Sequence, residues 1–496
     1  MTHKIVLLLI VIVGLLIRIW RIDLPLLEFY PTRQVQTAEI TRNLSKDFDL
    51  LKPKVHFYGP GEGLFLLEFP LYNLPIAIFY KFVGSPQEYF GRLFSILGWG
   101  ISALILYKLA RKYTGEFCAL SSVFIYTFSP LSVLTSRSFQ PDQWMLTFSM
   151  AAIFYIDKWL AKRKPLFFYL GSIACAVAIL IKLPAVVFTL VPILLIMWSR
   201  QRLNLLNFAK FALISLAPST VWYLYSASLA KESGLSNAFA IYNWFRPELF
   251  LNPQFYTTFF GYQYNLGLLP IGMLMFLIGL VIKLKKEQSI LYFWLLSIAI
   301  YFIIFNRHNM VHEYYHLPFL PIASIFIGIG AKKIIDSLNG LVISKNLFLV
   351  LCFLLLTVLM LPPTLARAYK PIDRFSNVLD AAGALKRVSN PNDLIVGIMD
   401  RGPTLVYYAD RVGWNLGLDR ERQLKEEEFY TGRSTQATSP IVDLNTYVDK
   451  GAKYLAIGNV DQLDANVSFK NYVYNNFKLI EETNKFLIFD LTGVPQ

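Results

Sequence analysis

Eleven apolar runs of near membrane length constrain this chain more than any other feature. They fall near 5–20, 93–107, 117–134, 144–160, 166–181, 183–199, 211–229, 265–282, 289–305, 317–331 and 346–362. Such runs, with the charges gathered between them, read as spanning helices. The chain is 55% hydrophobic and its mean hydropathy is +0.46. That excludes an ordinary soluble protein. The N-terminus carries Lys4, an apolar run, then Arg18 and Arg21, with no small-residue cleavage pattern after it. It reads as an uncleaved spanning helix and not a signal peptide.

A twelfth stretch, 64–83, contains Glu68, Pro70, Asn73 and Pro75. Loop charge decides whether it crosses. If it does not, loops 108–116, 158–165, 200–210, 283–287 and 332–345 share the side of the N-terminus and hold sixteen Lys or Arg. The short loops opposite, 135–143, 182 and 306–316, hold three. The basic side is cytoplasmic. The pattern therefore predicts an interfacial or re-entrant helix at 64–83, inside one external loop at 21–91. A Pro-broken backbone at membrane depth is tolerable where protein or a cavity covers it. The same bias accounts for much of the net charge of +14, so nucleic acid is not an expected partner. Cys118, Cys175 and Cys352 sit in apolar runs and read as packing residues.

In this topology the unusual polar residues share the external face. The stretch FYPTRQVQTAEITRNL, 29–44, predicts a short amphipathic helix over about 32–43 at the membrane surface. Arg33, Gln36 and Thr37 would share one face of it. A plain surface helix beside an anchor has the same spacing. Glu39 lies in the same stretch. Glu68 sits in an apolar surround and needs a partner, either Arg92 or a substrate. Asp142, in SRSFQPDQW with Arg137, begins a span; it serves either the helix N-terminus or a functional site. Lys182, in ILIKLPAV, is a lone ammonium between two apolar runs; it finds an anion such as a lipid phosphate, or snorkels to headgroups. The loop 230–263 is dense in aromatics, among them Tyr242, Trp244 and Tyr256, which suits sugar rings and equally an interfacial belt. In NRHNMVHEYYHLPFLP, 306–321, the string HEYYH imitates a zinc HExxH, but Leu317-Pro318 follows and no third ligand is evident. Polar contacts from His312 and its neighbours to a phosphate or sugar fit better. No cofactor is called for; a divalent metal is not indicated.

The tail changes composition. Apolar runs at 394–399, 453–458 and 486–491 alternate with helical stretches near 376–388 and 443–450. The chain therefore divides into a mainly α, polytopic transmembrane domain, 1–366, and a small extracytoplasmic α/β domain, 367–496.

These parts resemble the GT-C fold glycosyltransferases, including protein O-mannosyltransferases and the lipid A aminoarabinose transferase (glycosyltransferase family 39 and its relatives). The likeness covers about 5–335. It rests on RQVQTAEITRNL, on LEFP with Gly84 and the GRL at 91–93, on SRSFQPDQW, on ILIKLPA and on HEYYHLPFLP, in that order. It implies transfer of a sugar from a polyprenyl phosphate to an acceptor glycan, lipid or protein, on the external side of the plasma (inner) membrane. It implies a carboxylate base, for which Asp142 is the candidate, with Glu39 and Glu68 as substitutes. Arg33, Gln36, Arg137, Lys182, His312 and Tyr315 are the candidate substrate contacts, Arg33, Lys182, Arg137 and His312 toward the phosphate. The chain departs from the family where an Asp-Glu pair precedes the Ala-Glu-Ile helix: the matching positions are Arg33 and Gln34, and Gln36 replaces a related subgroup's acid. That departure leaves room for a catalytically inactive relative. A transporter or flippase of lipid-linked sugars is a further alternative, although mid-membrane ionisable residues are few and inverted repeats are not apparent.

Overall fold

The computed structural model describes residues 2–61, 63–202, 204–232, 244–337, 345–399, 402–418 and 439–493. Tyr242 lies outside them. The chain opens with helices α1 (Thr2–Ile19), α2 (Pro31–Lys46), α3 (Asn73–Val83) and α4 (Glu88–Thr114). It continues with α5 (Glu116–Phe128), α6 (Pro130–Arg137), α7 (Asp142–Lys162), α8 (Pro165–Ile181), α9 (Val191–Ser199) and α10 (Leu205–Glu232). Then come α11 (Pro253–Tyr262), α12 (Leu269–Val281), α13 (Ser289–Ile304), α14 (Asn306–Val311), α15 (Phe319–Ser337) and α16 (Lys345–Ala368). The tail adds α17 (Val378–Val388) and α18 (Thr404–Ala409) around a sheet.

Each apolar run falls on a helix or a bent helix pair. Two runs are bent. The run 117–134 is split into α5 and α6 at 58°, and the run 265–282 is split before α12 at 104°. Pro130 and Pro270 explain both breaks: proline cannot donate to the preceding turn and pushes the residue before it out of helical geometry. Among the described residues, three helices (88–114, 205–232 and 286–304) are long and apolar enough to cross a membrane alone, or up to five spans if each bent pair counts as one. The stretch 64–83 is helical only from Asn73.

By compactness the chain forms two units that do not follow chain order. The first comprises 1–22, 67–72 and 89–368; the second comprises 23–66, 73–88 and 369–496. Most of the first long loop thus packs with the tail.

In the first unit, α7 packs on α8, α5 on α15, and α12 on α15. The α12–α15 contact is a glycine seam. A Cβ at Gly279 would sit 2.0 Å from the Phe326 carbonyl oxygen, and one at Gly330 would sit 1.9 Å from that of Met275. Small residues let two backbones touch, which substitutes for a hydrophobic driving force between helices in lipid. Helix α1 is anchored by a fully buried arginine. Arg18 donates to Ser136 Oγ at 2.7 Å and to the Thr127 carbonyl at 2.9 Å, and lies 3.8 Å over the Trp99 ring.

In the second unit, β1 (Leu394–Ile398), β2 (Gly413–Asn415), β3 (Ala452–Ile457), β4 (Lys478–Glu482) and β5 (Leu487–Asp490) form one sheet in the order β2-β1-β3-β5-β4. The three central strands are the three apolar runs of the tail. β1 is parallel to β2 and β3, while β5 runs antiparallel to β3 and β4. Parallel strands covered on both faces need continuous apolar sequence, as in LIVGI. The loop 54–64 returns to this sheet: Gly59 donates to the Gly413 carbonyl at 2.8 Å. Its φ of +89° and a Trp414 ring 2.3 Å from any added Cβ both require glycine there. Helix α2 packs on α3 through Asn73, whose amide donates to the Thr37 carbonyl and to Thr41 Oγ, each at 2.8 Å.

Gly330→Leu should open the α12–α15 seam and destabilise the fold by about 2 kcal/mol or more, the cost of overpacking. Gly100→Leu, where an added Cβ meets nothing within 4 Å, is its control. Thermal unfolding of the two purified variants in detergent checks this; equal midpoints would refute the close seam.

Candidate functional site

Two of the residues singled out by sequence meet in the first unit. Asp142 is the first residue of α7, and Lys182 caps the C-terminus of α8 in extended geometry. Because α7 and α8 pack antiparallel, the start of one lies beside the end of the other. Lys182 Nζ donates to Asp142 Oδ1 at 2.6 Å, with only 2% and 5% of the two residues exposed. Both helix ends favour these charges, a carboxylate at an N-terminus and a cation at a C-terminus. Asp142 Oδ2 is buried and accepts no hydrogen bond. A buried carboxylate oxygen left open in this way is available to a ligand hydroxyl.

The loop after α13 closes over the lysine. Lys182 Nζ lies 4.8 Å from the Tyr314 ring centre and 4.3 Å from that of Tyr315, within cation–π range. His312 stacks on Tyr314 at 5.1 Å, and His308 packs on Tyr315 at 5.1 Å. Burial, with Arg307 and Lys182 nearby, pushes the His308 imidazole down to about 3, so it is neutral at pH 7.

The HEYYH string does not form a metalloprotease helix. α14 ends at Val311, His312 is extended, and 313–316 is a 3₁₀ turn. The i, i+4 relation of His312 and His316 therefore fails. Both His316 nitrogens are engaged, Nδ1 with the Gln263 amide at 2.7 Å and Nε2 with the Asn309 carbonyl at 2.8 Å. Glu313 pairs with Arg367. Among the described residues no three His, Cys, Asp or Glu side chains could hold a metal.

Other candidates stand elsewhere. The Arg137 guanidinium donates to the carbonyls of Arg18, Trp20 (2.7 Å) and Arg21 (3.2 Å). It satisfies the free end of α1, which is a structural duty and not the phosphate contact expected of it. Glu68 lies beside Tyr223 of α10. Arg33 and Gln36 are half-buried on α2, in the second unit. That helix is not the amphipathic surface helix the spacing predicts: every residue from Thr37 to Leu44 is buried. Gln34, in the place of the expected acid, is fully buried and donates to the Phe29 carbonyl at 2.7 Å.

The second unit holds a polar cluster of its own around Glu39, which is fully buried. One Glu39 oxygen accepts from the His56 backbone at 3.0 Å and lies 3.6 Å from the Arg42 guanidinium; the other has no hydrogen bond. Arg42 also pairs with Asp410 at 3.0 Å and lies 4.6 Å over the Tyr407 ring. Burial outweighs the attraction of Arg42 and pushes the Glu39 carboxyl up to about 7. The i, i+3 spacing of Glu39 and Arg42 was visible in sequence. Asp410 carried no signal linking it to them. In the first unit sequence reading missed Tyr314, whose only signal was its place beside Tyr315.

This helical fold, with a buried Asp–Lys pair at the joined ends of two helices, is a GT-C fold, the architecture of a class of membrane glycosyltransferases. Residues 68–222, which contain Asp142 and Lys182, match the family model described as dolichyl-phosphate-mannose-protein mannosyltransferase. The chain is similar to ArnT from Cupriavidus metallidurans, solved bound to undecaprenyl phosphate, with a TM-score of 0.66, 14% identity and 97% of each chain covered. It is similar to the oligosaccharyltransferase AglB from Archaeoglobus fulgidus, solved with an inhibitory peptide and a dolichol-phosphate, with a TM-score of 0.57, 12% identity, and 98% of this chain and 74% of that one covered. A protein of Aquifex aeolicus described as uncharacterized is 27% identical over 325 residues, 64% of this chain. The match spans 61% of that relative's length.

The buried Glu39 sets a pH dependence. Unfolded, this carboxyl titrates near 4.5; folded, it keeps its proton to about 7. Its stabilising contribution is thus complete below pH 4.5 and is lost as pH rises through 7, by on the order of 3 kcal/mol at most. Relative to Glu39→Gln, the wild type should lose thermal midpoint between pH 4.5 and 7.5. Parallel curves would show that Glu39 does not titrate in this window.

Proposed function

We propose that this protein is an integral-membrane glycosyltransferase that moves a sugar from a polyprenyl-phosphate donor to an acceptor hydroxyl at the external face of the membrane. One observation carries the reading. The segment matched by the family model holds a buried carboxylate with one open oxygen, paired to a buried ammonium under two tyrosine faces. Lipid phosphates bound in ArnT and AglB support the donor class.

The chemistry follows from the residues. The acceptor oxygen attacks the anomeric carbon, and the bond from that carbon to the phosphate oxygen breaks. Asp142 Oδ2 accepts the hydroxyl proton as the new glycosidic bond forms. Lys182 shares its charge between Asp142 and the departing phosphate, which leaves as polyprenyl phosphate. As Asp142 takes up the proton its hold on Lys182 weakens, and the ammonium turns to the new anion. Arg33, Gln36, His312 and Tyr315 remain candidate substrate contacts, and Glu39 and Glu68 remain second-rank carboxylates. The N-terminus is cytoplasmic and the tail external in this reading.

Incubating the purified protein with labelled polyprenyl-phosphate sugars and an acceptor pool should release free polyprenyl phosphate. Asp142→Asn should slow that release by roughly 10²–10⁴-fold, the usual worth of a general base. Undiminished release would remove Asp142 from the mechanism. Donor movement across liposomes without release would favour the flippase reading instead.

A further inference from the structure

The end of α7 opposite Asp142 carries a second polar site that the transfer chemistry does not use. Asp157 lies fifteen residues along α7 from Asp142, about 22 Å at the helical rise. It is 5% exposed, and its carboxylate accepts from Lys112 Nζ at 2.7 Å and from the Tyr113 hydroxyl. Beside this pair is a half-open cavity of about 600 Å³, within the usual range for a ligand site. Its wall comes from the ends of α4 and α7, from Arg200 after α9, and from residues 285–288.

The charge in this cavity is unbalanced. Lys112, Arg163, Arg200 and Lys285 line it against Asp157 and Glu287. Lys112 is held by Asp157, and Arg200 donates to the Glu287 carbonyl at 3.1 Å. Arg163 and Lys285, both exposed, have no carboxylate partner among the described residues. Capping of helix C-termini explains cations near α4, α7 and α9 in general, but neither of these two side chains bonds a carbonyl. They are left for an anion.

The surroundings are apolar in the manner of a membrane interface. Leu166, Tyr169 and Ile173 follow Arg163 along one face of α8, exposed by 62%, 45% and 52%. Trp198, two residues before Arg200, is 66% exposed. An aromatic and an apolar stripe flanking a basic cavity match a phosphodiester headgroup with its acyl chains alongside. We propose that this cavity binds the phosphate of an anionic membrane phospholipid, with its tails along α8. The proposal does not depend on transferase activity.

The test uses the full chain exchanged into mixed micelles with phosphatidylglycerol or phosphatidylcholine, with retained lipid measured by native mass spectrometry. Phosphatidylglycerol should be retained over phosphatidylcholine. Arg163→Ala with Lys285→Ala should lower its retention by about 25-fold, about five-fold per cation. Lys81→Ala with Lys450→Ala, an equal change of charge elsewhere, should leave retention as it was. Equal retention of both lipids, loss in the control variant, or full retention in the Arg163/Lys285 variant would overturn the proposal. Displacement by millimolar inorganic phosphate would assign the cavity to a soluble anion and overturn the lipid. A photoactivatable phosphatidylglycerol on the wild type gives an arm independent of variant folding: label within 108–116, 158–173 or 283–288 supports the site, and label confined elsewhere refutes it.

Discussion

The first unit is organised around the cost of burying charge. An isolated carboxylate or ammonium in an apolar interior is prohibitive, and one removed partner leaves the other uncompensated. Asp142 and Lys182 meet that constraint together, at 2.6 Å, where α7 begins and α8 ends. The pairing demands that the two helices lie antiparallel and in register. Gly171 provides the close approach, since a Cβ there would meet the Ile156 side chain at 2.7 Å. Packing and site are therefore one feature. The tyrosine faces of the 306–316 loop add a cation–π surround that satisfies the ammonium without neutralising it. What is left over is a single carboxylate oxygen, and a reaction can use it.

The same rule explains the buried arginines. Arg18 and Arg137 are almost wholly buried, and each is consumed by carbonyls and hydroxyls of the segments it joins. Guanidinium suits this task because it offers five donors in a fixed plane. Arg137 looked like a phosphate ligand in sequence because it shares a nine-residue loop with Asp142. Its geometry shows the opposite: the end of α1 has free carbonyls, and this side chain supplies their donors. Asp157 and Lys112 repeat the carboxylate–ammonium solution at the other end of α7, with a surplus of cations beside them.

Glu39 shows a different outcome of burial. Its neighbours, Arg42 and the His56 backbone, are too few to offset desolvation, so the carboxyl stays protonated near neutrality. The helix that carries it is enclosed over two turns by α3 and α18 of its own unit. A spacing argument places polar residues on a face but cannot say that the opposite face is also covered.

The sequence by itself determined the elements whose signal is local. Apolar runs named the helices, Pro130 and Pro270 marked the bends, and LIVGIM, KYLAIG and FLIFDL named the central strands, because hydrophobic burial and proline geometry act within a few residues. It also picked out Asp142 and Lys182, since charge amid apolar sequence is costly wherever the chain goes. The tertiary structure alone decided who meets whom. It set Lys182 on a carboxylate 40 residues away, turned Arg137 toward α1, broke HEYYH across a 3₁₀ turn, and joined the first loop to the tail 368 residues on through Arg42 and Asp410. Those pairings depend on helix packing and on strand order. Neither leaves a trace in the spacing of residues along one chain.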